Sequence, residues 1–429
     1  MKRLIYIVFV CALCTVFCSP VRAQDYARLG ERTIMGTARY VGMGGAMSAI
    51  GGDPSATKDN VAGLGLYRRE EVMLTFDYSN IFMAPQASVV FSFETRGVDA
   101  TCFHNLMISY NRLHTYNREI KGVATNSPSL GALFATTEAD LGIPYTTDRY
   151  NMENDMYLDE YGYVNEFNID YAMNISEQWY WGAGLHIESY SFTSKGDYAE
   201  TFPYVNEAGA LFMNRSLTTL QLRGVGCSFA TGFIYRPLSW LRMGLGVQTP
   251  SLGSLTTYTS GTFEARTDSL CLSDAPNQRF SSRDFHMPLH TSASVAFQIS
   301  QYGYLSLQYD YFKTPGEIAN HSLRAGIEVV PVTGLYINAG YAYESPFRSN
   351  FPKVTLDETL NRQDTYFLRT PSTHYASGAI GFRGRWFMVQ AAYQYRLQRT
   401  NLYAHENVTD PYRINTNTHR IVVTIGWHR

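Results

Sequence analysis

Along most of this chain, apolar and polar residues alternate with a period of two. In "EFNIDYAMNI", Phe167, Ile169, Tyr171, Met173 and Ile175 share one face, and Glu166, Asn168, Asp170 and Asn174 the other, which is the pattern of a strand with unlike faces. "YLSLQYDYF" sets Leu305, Leu307, Tyr309 and Tyr311 against Ser306, Gln308 and Asp310, and "SLRAGIEVV", "LYINAGYAYE" and "WFMVQAAYQYRL" behave alike. Several such segments run to about ten residues, longer than the five or six usual in a sandwich and enough to cross a bilayer at a tilt. Aromatic residues gather near segment ends, at Trp179-Tyr180-Trp181, Trp240, Trp386-Phe387 and Trp427, where interfacial girdles belong. The apolar face is therefore expected to meet lipid and the polar face a lumen.

Fifteen segments can be marked: 72–79, 86–94, 102–111, 163–175, 179–192, 218–235, 239–248, 253–265, 286–299, 302–312, 320–330, 334–344, 374–383, 386–397 and 418–429. Bacterial single-chain barrels have even strand numbers. The expected fold is all-β, a transmembrane antiparallel β-barrel of about 14 strands, with one short early segment belonging to a loop or lead-in. Tight connections (Arg236-Pro237-Leu238, Ser300-Gln301, Pro331-Val332-Thr333) alternate with long ones such as 345–373 and 398–417, as periplasmic turns alternate with outer loops. The longest connection, 112–162, has helical spacing at Leu130, Leu133, Phe134 and Leu141. A loop of that length inside a compact fold is usually functional or wrongly assigned; as an outer loop it makes Leu130, Leu133 and Phe134 candidate ligand contacts.

The first residues bear on the compartment. "MKRLIYIVFVCALCTVFCSPVRAQ" has a basic start, an apolar middle and small-residue site Val21-Arg22-Ala23, so residues 1–23 read as a secretory signal peptide. Lys2, Arg3 and Arg22 leave with it; of 35 basic residues 32 remain against 37 acidic, a net of −5. That balance argues against a nucleic-acid partner. Only Cys102, Cys227 and Cys271 remain, odd in number and widely spaced, so neither a disulfide framework nor a zinc pattern follows. Charged residues are 17% and aromatics 14%, against about a quarter charged in ordinary soluble chains.

Residues 36–65, "GTARYVGMGGAMSAIGGDPSATKDNVAGLG", hold eight glycines. A phosphate loop is a poor reading, because Met47 fills the third small position, no strand clearly precedes the run, and no Gly-Lys-Ser/Thr follows. As structure, the stretch predicts two short helical pieces. Ala38, Val41, Met43, Ala46, Ala49 and Ile50 pack inward, Gly51-Gly52 ends the first piece, and Asp53-Pro54 opens the second. Small residues let backbones approach, which suits a plug inside a narrow barrel.

This stretch resembles the N-terminal hatch of the FadL/TodX family of outer-membrane transporters, which carry long-chain fatty acids and other hydrophobic compounds. The shared elements are an Ala-Arg (Ala38-Arg39), a Gly-Met-Gly-Gly-Ala run (Gly42, Met43, Gly44, Gly45, Ala46), an acidic residue before a short helix (Asp53), and an Asn-Pro-Ala-Gly-Leu element. The last is present as Asn60, Val61, Ala62, Gly63 and Leu64, with Val61 where the family has proline. "GVGCSFATGFIYRPLSWLRMGLGVQTPS" and "HSLRAGIEVVPVTGLYINAGYAYESPF" are similar to the family's central strand pair and later hairpin. The resemblance implies a hatch at 24–70, a barrel at 71–429, and a gap in the wall near the third strand, around 102–111.

Candidate chemistry is sparse. His286 and His290 in "HMPLH" share a strand face, but a structural role in the lumen outweighs haem or metal ligation. Asp170, Glu188, Asp310, Arg324, Glu328, Glu344 and Arg396 are expected to point inward and form ion pairs. Arg39 is a candidate for holding a ligand's carboxylate, against the plainer role of pairing the hatch with a wall carboxylate. No motif argues for an enzyme, a cofactor or a metal site. The expectation is a monomeric bacterial outer-membrane channel, embedded in outer-membrane lipid, for passive uptake of hydrophobic small molecules. The alternatives are a partner-binding barrel of a protein secretion system and a haem receptor.

Overall fold

The computed structural model describes residues 28–79, 81–96, 101–125, 128–129, 152–203, 211–267, 270–273, 277–286, 288–300, 302–313, 319–348, 366–404 and 410–429. The leader expected at 1–23 and the loop residues Leu130, Leu133, Phe134 and Leu141 lie outside them.

The strands are β1 (Glu71–Tyr78), β2 (Phe82–Arg96), β3 (Thr101–Thr125), β4 (Glu153–Ile175), β5 (Trp179–Pro203), β6 (Leu211–Leu238), β7 (Leu241–Gln248), β8 (Leu252–Thr267), β9 (Cys271–Ser273), β10 (Asn277–His286), β11 (Leu289–Gln298), β12 (Gly303–Lys313), β13 (Asn320–Val332), β14 (Leu335–Glu344), β15 (Phe347–Arg348), β16 (Phe367–Thr370), β17 (Thr373–Arg383), β18 (Phe387–Tyr403), β19 (Tyr412–Asn415) and β20 (Thr418–His428). Each barrel strand pairs antiparallel with its neighbours, and β20 pairs with β1 from Glu71↔His428 to Tyr78↔Ile421, closing the sheet. The result is a closed barrel of 14 staves.

Fourteen is the expected number, reached by a different route. The early segments are full staves, none of them a lead-in. Segments 239–248 and 253–265 are instead the two halves of one stave: β7 pairs with the lower part of β6 (Ala230–Leu238) and β8 with the upper part (Phe212–Cys227). Thr249-Pro250-Ser251 interrupts that stave, proline lacking the N–H a ladder needs. The next stave is broken likewise, β10 pairing with β8 and β11 with β7.

Exposure follows the alternation. On β12 Leu305, Leu307 and Tyr309 face out, while Ser306, Gln308 and Asp310 are buried inside. Trp179, Trp240, Trp386 and Trp427 are exposed beside the short turns, at one end of the barrel. The turns sit slightly apart from the positions expected. β6 runs through Arg236-Pro237-Leu238 with a bulge after Tyr235, and the chain reverses at Ser239-Trp240.

The wall is uneven in height. β3 to β6 have 25, 23, 25 and 28 residues, whereas β1 has 8 and β14 has 10. Much of the connection expected at 112–162 is therefore strand, residues 112–125 pairing with 153–165. Above the apolar band the outward face of these strands is polar, with Asn117, Glu119, Lys121 and Asp155 exposed, so the alternation that marks a lipid-facing strand is absent there.

Candidate functional site: the hatch and a notch in the wall

The chain enters the lumen at Arg28–Gly30 and forms a compact plug before β1. Its one α-helix among the described residues, Ala38–Gly42, is capped by Thr37, whose side chain accepts from Tyr40 N. Tight turns follow through Ile50, then 3-10 turns at Ala56–Lys58 and Val61–Leu66. Two helical pieces were expected; the second is only these 3-10 turns. Asp53 is not a helix cap. It accepts the Ser55 N–H at 2.8 Å and the Thr37 hydroxyl at 2.7 and 2.8 Å, so it fastens the two halves of the hatch together. Burial pushes the Asp53 carboxyl up, against the pull of Arg39.

Asn60 caps the last turn with its side-chain oxygen (Ala62 N, 3.0 Å) and reaches with its amide N–H to Ser48 O and to Phe233 O on β6 (both 3.1 Å). Val61 is the first residue of that turn, a position where proline is tolerated but not required. The Asn60 cap thus supplies the turn without it. Ala62 packs with Tyr180 and Ile234, and Leu64 with Val90, Met107 and Ala172.

Glycines make the fit, on both partners. A Cβ at Gly42 would meet Ala379 Cβ at 2.3 Å, and Gly44, at φ +62°, lies against the backbone of Tyr341. The wall answers with its own glycines. A Cβ at Gly340 would stand 2.1 Å from Gly44 N, at Gly246 2.0 Å from Asp59 O, and at Gly182 2.7 Å from the Val61 carbonyl carbon. Gly45 faces Arg324, and Gly63 accepts the Gly52 N–H at 3.0 Å.

Ion pairs tie the plug to the wall, as expected of the inward charges. Arg39 donates to both oxygens of Glu328 at 2.6 and 2.7 Å and to Gly52 O at 3.2 Å. It faces a 310 Å³ cavity on the turn side of the hatch, lined among others by Asp53, Tyr304, Glu328 and Arg383. Of its two candidate roles, the guanidinium is placed in the hatch-to-wall pair. Asp59 accepts from Tyr40 OH (2.8 Å) and pairs with Arg324 (3.2 Å), which also pairs with Asp310 (3.1 Å). His290 is buried, bonded to Asp310 at 3.2 Å and stacked on Phe312. Asp59, His290 and Asp310 could together ligate a metal, but Arg324 already supplies their cation. The strand breaks after His286, and the structure describes nothing of that side chain.

Above the hatch lies a second polar layer. His186 bonds Asp170 at 3.0 Å, and Gln248 donates to Glu166, Glu188 and Ser228 at 3.1, 3.2 and 2.9 Å, with Arg32 3.8 Å from Glu188. Beyond it the inward face turns apolar. One buried cluster includes Leu29, Leu113, Tyr116, Tyr190, Phe192 and Phe285. A higher one includes Ile120, Leu158, Tyr198, Tyr366, Leu368 and Leu402. Of these, Leu113, Tyr116, Ile120, Leu158, Tyr198, Leu368 and Leu402 lie in strand segments that the sequence pattern left as loop.

The wall is low at one place. Residues 102–111 of β3 are paired on both sides, with β2 and with β4, so the gap expected there is absent. It opens one step higher. The β2 ladder on β3 ends at Gln86↔Asn111 beside Pro85, the β1–β2 pairing ends at Tyr78↔Phe82, and β3 bulges between Arg112 and His114. Above Asn111, among the described residues, β3 has no ladder partner on that side. The notch leads to a 260 Å³ cavity between β3 and β18–β20, lined by residues including Glu31, His114, Tyr116, Arg118, Arg396 and Thr418. From inside, the lead-in strap covers it: Thr33 N donates to Leu113 O at 3.1 Å, Thr33 Oγ1 bonds His114 Nδ1 at 2.7 Å, and Leu29 is buried against Leu113.

A closed barrel of fourteen staves plugged by its own N-terminal segment defines a class of fold, and solved structures share it. A Pseudomonas aeruginosa FadL homologue matches with TM-score 0.54 at 12% identity over 93% of this chain and 99% of that one. The CymD monoaromatic hydrocarbon channel matches at 0.52 and 12% over 93% and 98%, and the Pseudomonas putida toluene transporter TodX at 0.51 and 11% over 93% and 99%. This chain therefore has the FadL-type fold. No protein-family model matches the sequence. No curated protein matches it either.

Proposed function

We propose that this protein is a bacterial outer-membrane channel for passive uptake of hydrophobic small molecules, and that its cargo leaves sideways. The observation that carries the reading is the order of layers inside the wall: two apolar clusters above, an ion-paired polar layer and a latched hatch below, with the notch at the boundary. An apolar molecule gains by reaching the clusters, at about 25 cal/mol per Å² of surface removed from water. It loses by entering layers whose polar groups would have to give up their partners. The lower-energy route runs past Leu113 and Tyr116 into the bilayer. The apolar outward face supports membrane residence. That solved structures of this fold include a toluene transporter and a monoaromatic hydrocarbon channel supports the cargo class.

The test is uptake by a deletion strain carrying the wild-type protein, with radiolabelled toluene and radiolabelled oleate supplied in parallel. At least a five-fold gain over the empty strain for one of them is expected. No gain for either removes the uptake reading, and gain for one alone identifies the cargo.

A further inference from the structure

Three successive loop-end hairpins repeat one outward-facing constellation. On β12–β13, Tyr309 OH and His321 Nδ1 lie 2.6 Å apart, with the Tyr311 ring 5.5 Å from the imidazole. On β14–β17, Tyr341 OH and His374 Nδ1 are 2.7 Å apart, with Tyr343 at 5.3 Å. On β18–β20, Tyr393 OH and His419 Nδ1 are 2.6 Å apart, with Tyr395 at 4.9 Å. The register is the same each time. The histidine stands directly opposite the upper tyrosine (Tyr311↔His321, Tyr343↔His374, Tyr395↔His419) and bonds the lower one diagonally.

Below each histidine the outward face of its strand is apolar or small: Leu323, Ala325, Ile327 and Val329 under His321, and Ile421, Val423, Ile425 and Trp427 under His419. The triads thus mark the upper edge of the apolar band. A girdle that only needed amphipathic rings would leave the phenols to reach the headgroups themselves. Here each lower phenol is turned onto Nδ1, which fixes the imidazole and leaves Nε2 as its remaining polar atom. Nε2 of His374 lies 3.2 Å from Ser372 Oγ, and Nε2 of His321 and His419 has no partner among the described residues. On the opposite arc, Arg112 lies over the Tyr163 ring at 4.9 Å and bonds Asn165, a cation on an outward tyrosine. The turn end has a lone His104–Tyr171 pair among its tryptophans.

We infer that the three Tyr-x-Tyr/His triads are a binding site for the phosphate-bearing headgroups of outer-leaflet glycolipid, each imidazole donating from Nε2 to a phosphate oxygen. The inference rests on the outer-membrane reading proposed above. It is tested with the full-length protein in nonionic detergent, titrated with bis-phosphorylated lipid A and read by native mass spectrometry. The wild type retains lipid A at least ten-fold better than the triple variant His321→Phe, His374→Phe, His419→Phe, and ten-fold better than it retains dephosphorylated lipid A. The Tyr309→Phe, Tyr341→Phe, Tyr393→Phe variant, which keeps the imidazoles but frees their orientation, is reduced two- to five-fold. Single His→Phe variants, each losing part of the retention, stand in if the triple variant lacks the heat-modifiable gel mobility of a folded barrel. Equal retention by the His→Phe variants, equal retention of the dephosphorylated lipid, or displacement by millimolar inorganic phosphate overturns the assignment. Membrane fractionation separates the two readings: absence from the outer membrane defeats the functional proposal, whereas the detergent titration reads the triads directly.

Discussion

Lys58 shows what placing a single side chain inside the plug entails. Its ammonium donates to Met35 O, lies 4.9 Å from the Tyr40 ring, and is buried within the hatch. Burial pushes its pKa down to about 8, the nearby Asp59 carboxylate only partly opposing this. Because the folded value lies below the unfolded one, the unfolded chain binds more protons between about 8 and 10.5. Stability therefore rises with pH across that window, and the gain is absent below about pH 8 and complete above 10.5. A depression of this size corresponds to about 3 kcal/mol at most. Lys58→Met removes the titrating group, so wild type minus variant, compared in thermal midpoints at pH 7 and pH 10, shifts toward the wild type at the higher pH. A difference independent of pH would show that Lys58 keeps its ordinary proton affinity in the folded state.

At the scale of elements, how the hatch meets the barrel decides how much could be read beforehand. The hatch itself was legible, because glycines clustered within thirty residues have few structural uses. Alternation made the strands legible wherever one face meets lipid. The upper halves of β3 and β4 were not, since there the outward face is polar and the apolar side chains turn inward, the reverse of the lipid-facing pattern. Nor were the receiving glycines, because Gly182, Gly246 and Gly340 are scattered over three strands and only folding brings them to the plug. The clue was available in principle: a glycine at an inward position within a strand marks close approach of another backbone. Gly340→Ala tests this. Its Cβ would fall 2.1 Å from Gly44 N, between two backbones with no flexible side chain to yield, so overpacking of about 1–3 kcal/mol is expected. Gly378→Ala, whose Cβ would meet only Asn338 O at 3.5 Å, is the matched control. Faster trypsin cleavage within residues 28–70 of the Gly340 variant alone is the expected result; equal cleavage would mean that the hatch is held by its ion pairs and not by this fit.

For the whole molecule, the layered interior and the uneven wall make one demand on transport. If cargo leaves through the notch, the strap Leu29–Thr33 must come away from β3 while the hatch below keeps its ties to the wall. Two hydrogen bonds hold Thr33 to the bulge, each of about 0.5–1.5 kcal/mol net, together with the burial of Leu29, the approach of Glu31 to His114 at 3.6 Å, and the ties of Arg32 to Gln248 at 3.2 Å and Glu188 at 3.8 Å. By contrast, removing one partner of the buried Arg39–Glu328 pair costs about 3–5 kcal/mol, and the hatch has further ties through Arg324 and Asn60. Lifting the strap off the bulge at Thr33, with Arg32 keeping its partners, is therefore the cheaper motion. Pinning it separates the two routes. Thr33 and His114 touch through their side chains and lie on neighbouring backbone segments, so Thr33→Cys with His114→Cys places two thiols for a reducible crosslink, either a direct disulfide or one bridged by a short disulfide-containing bis-thiol reagent. Crosslinked, the variant is expected to lose at least ten-fold of its uptake of the cargo identified above, and to regain it on reduction in the same cells. The two single cysteine variants control for loss of the Thr33–His114 bond itself. Full uptake by the crosslinked protein, with the crosslink verified on a gel, would overturn the lateral route and send the cargo past Asp59 and Arg324 through the hatch.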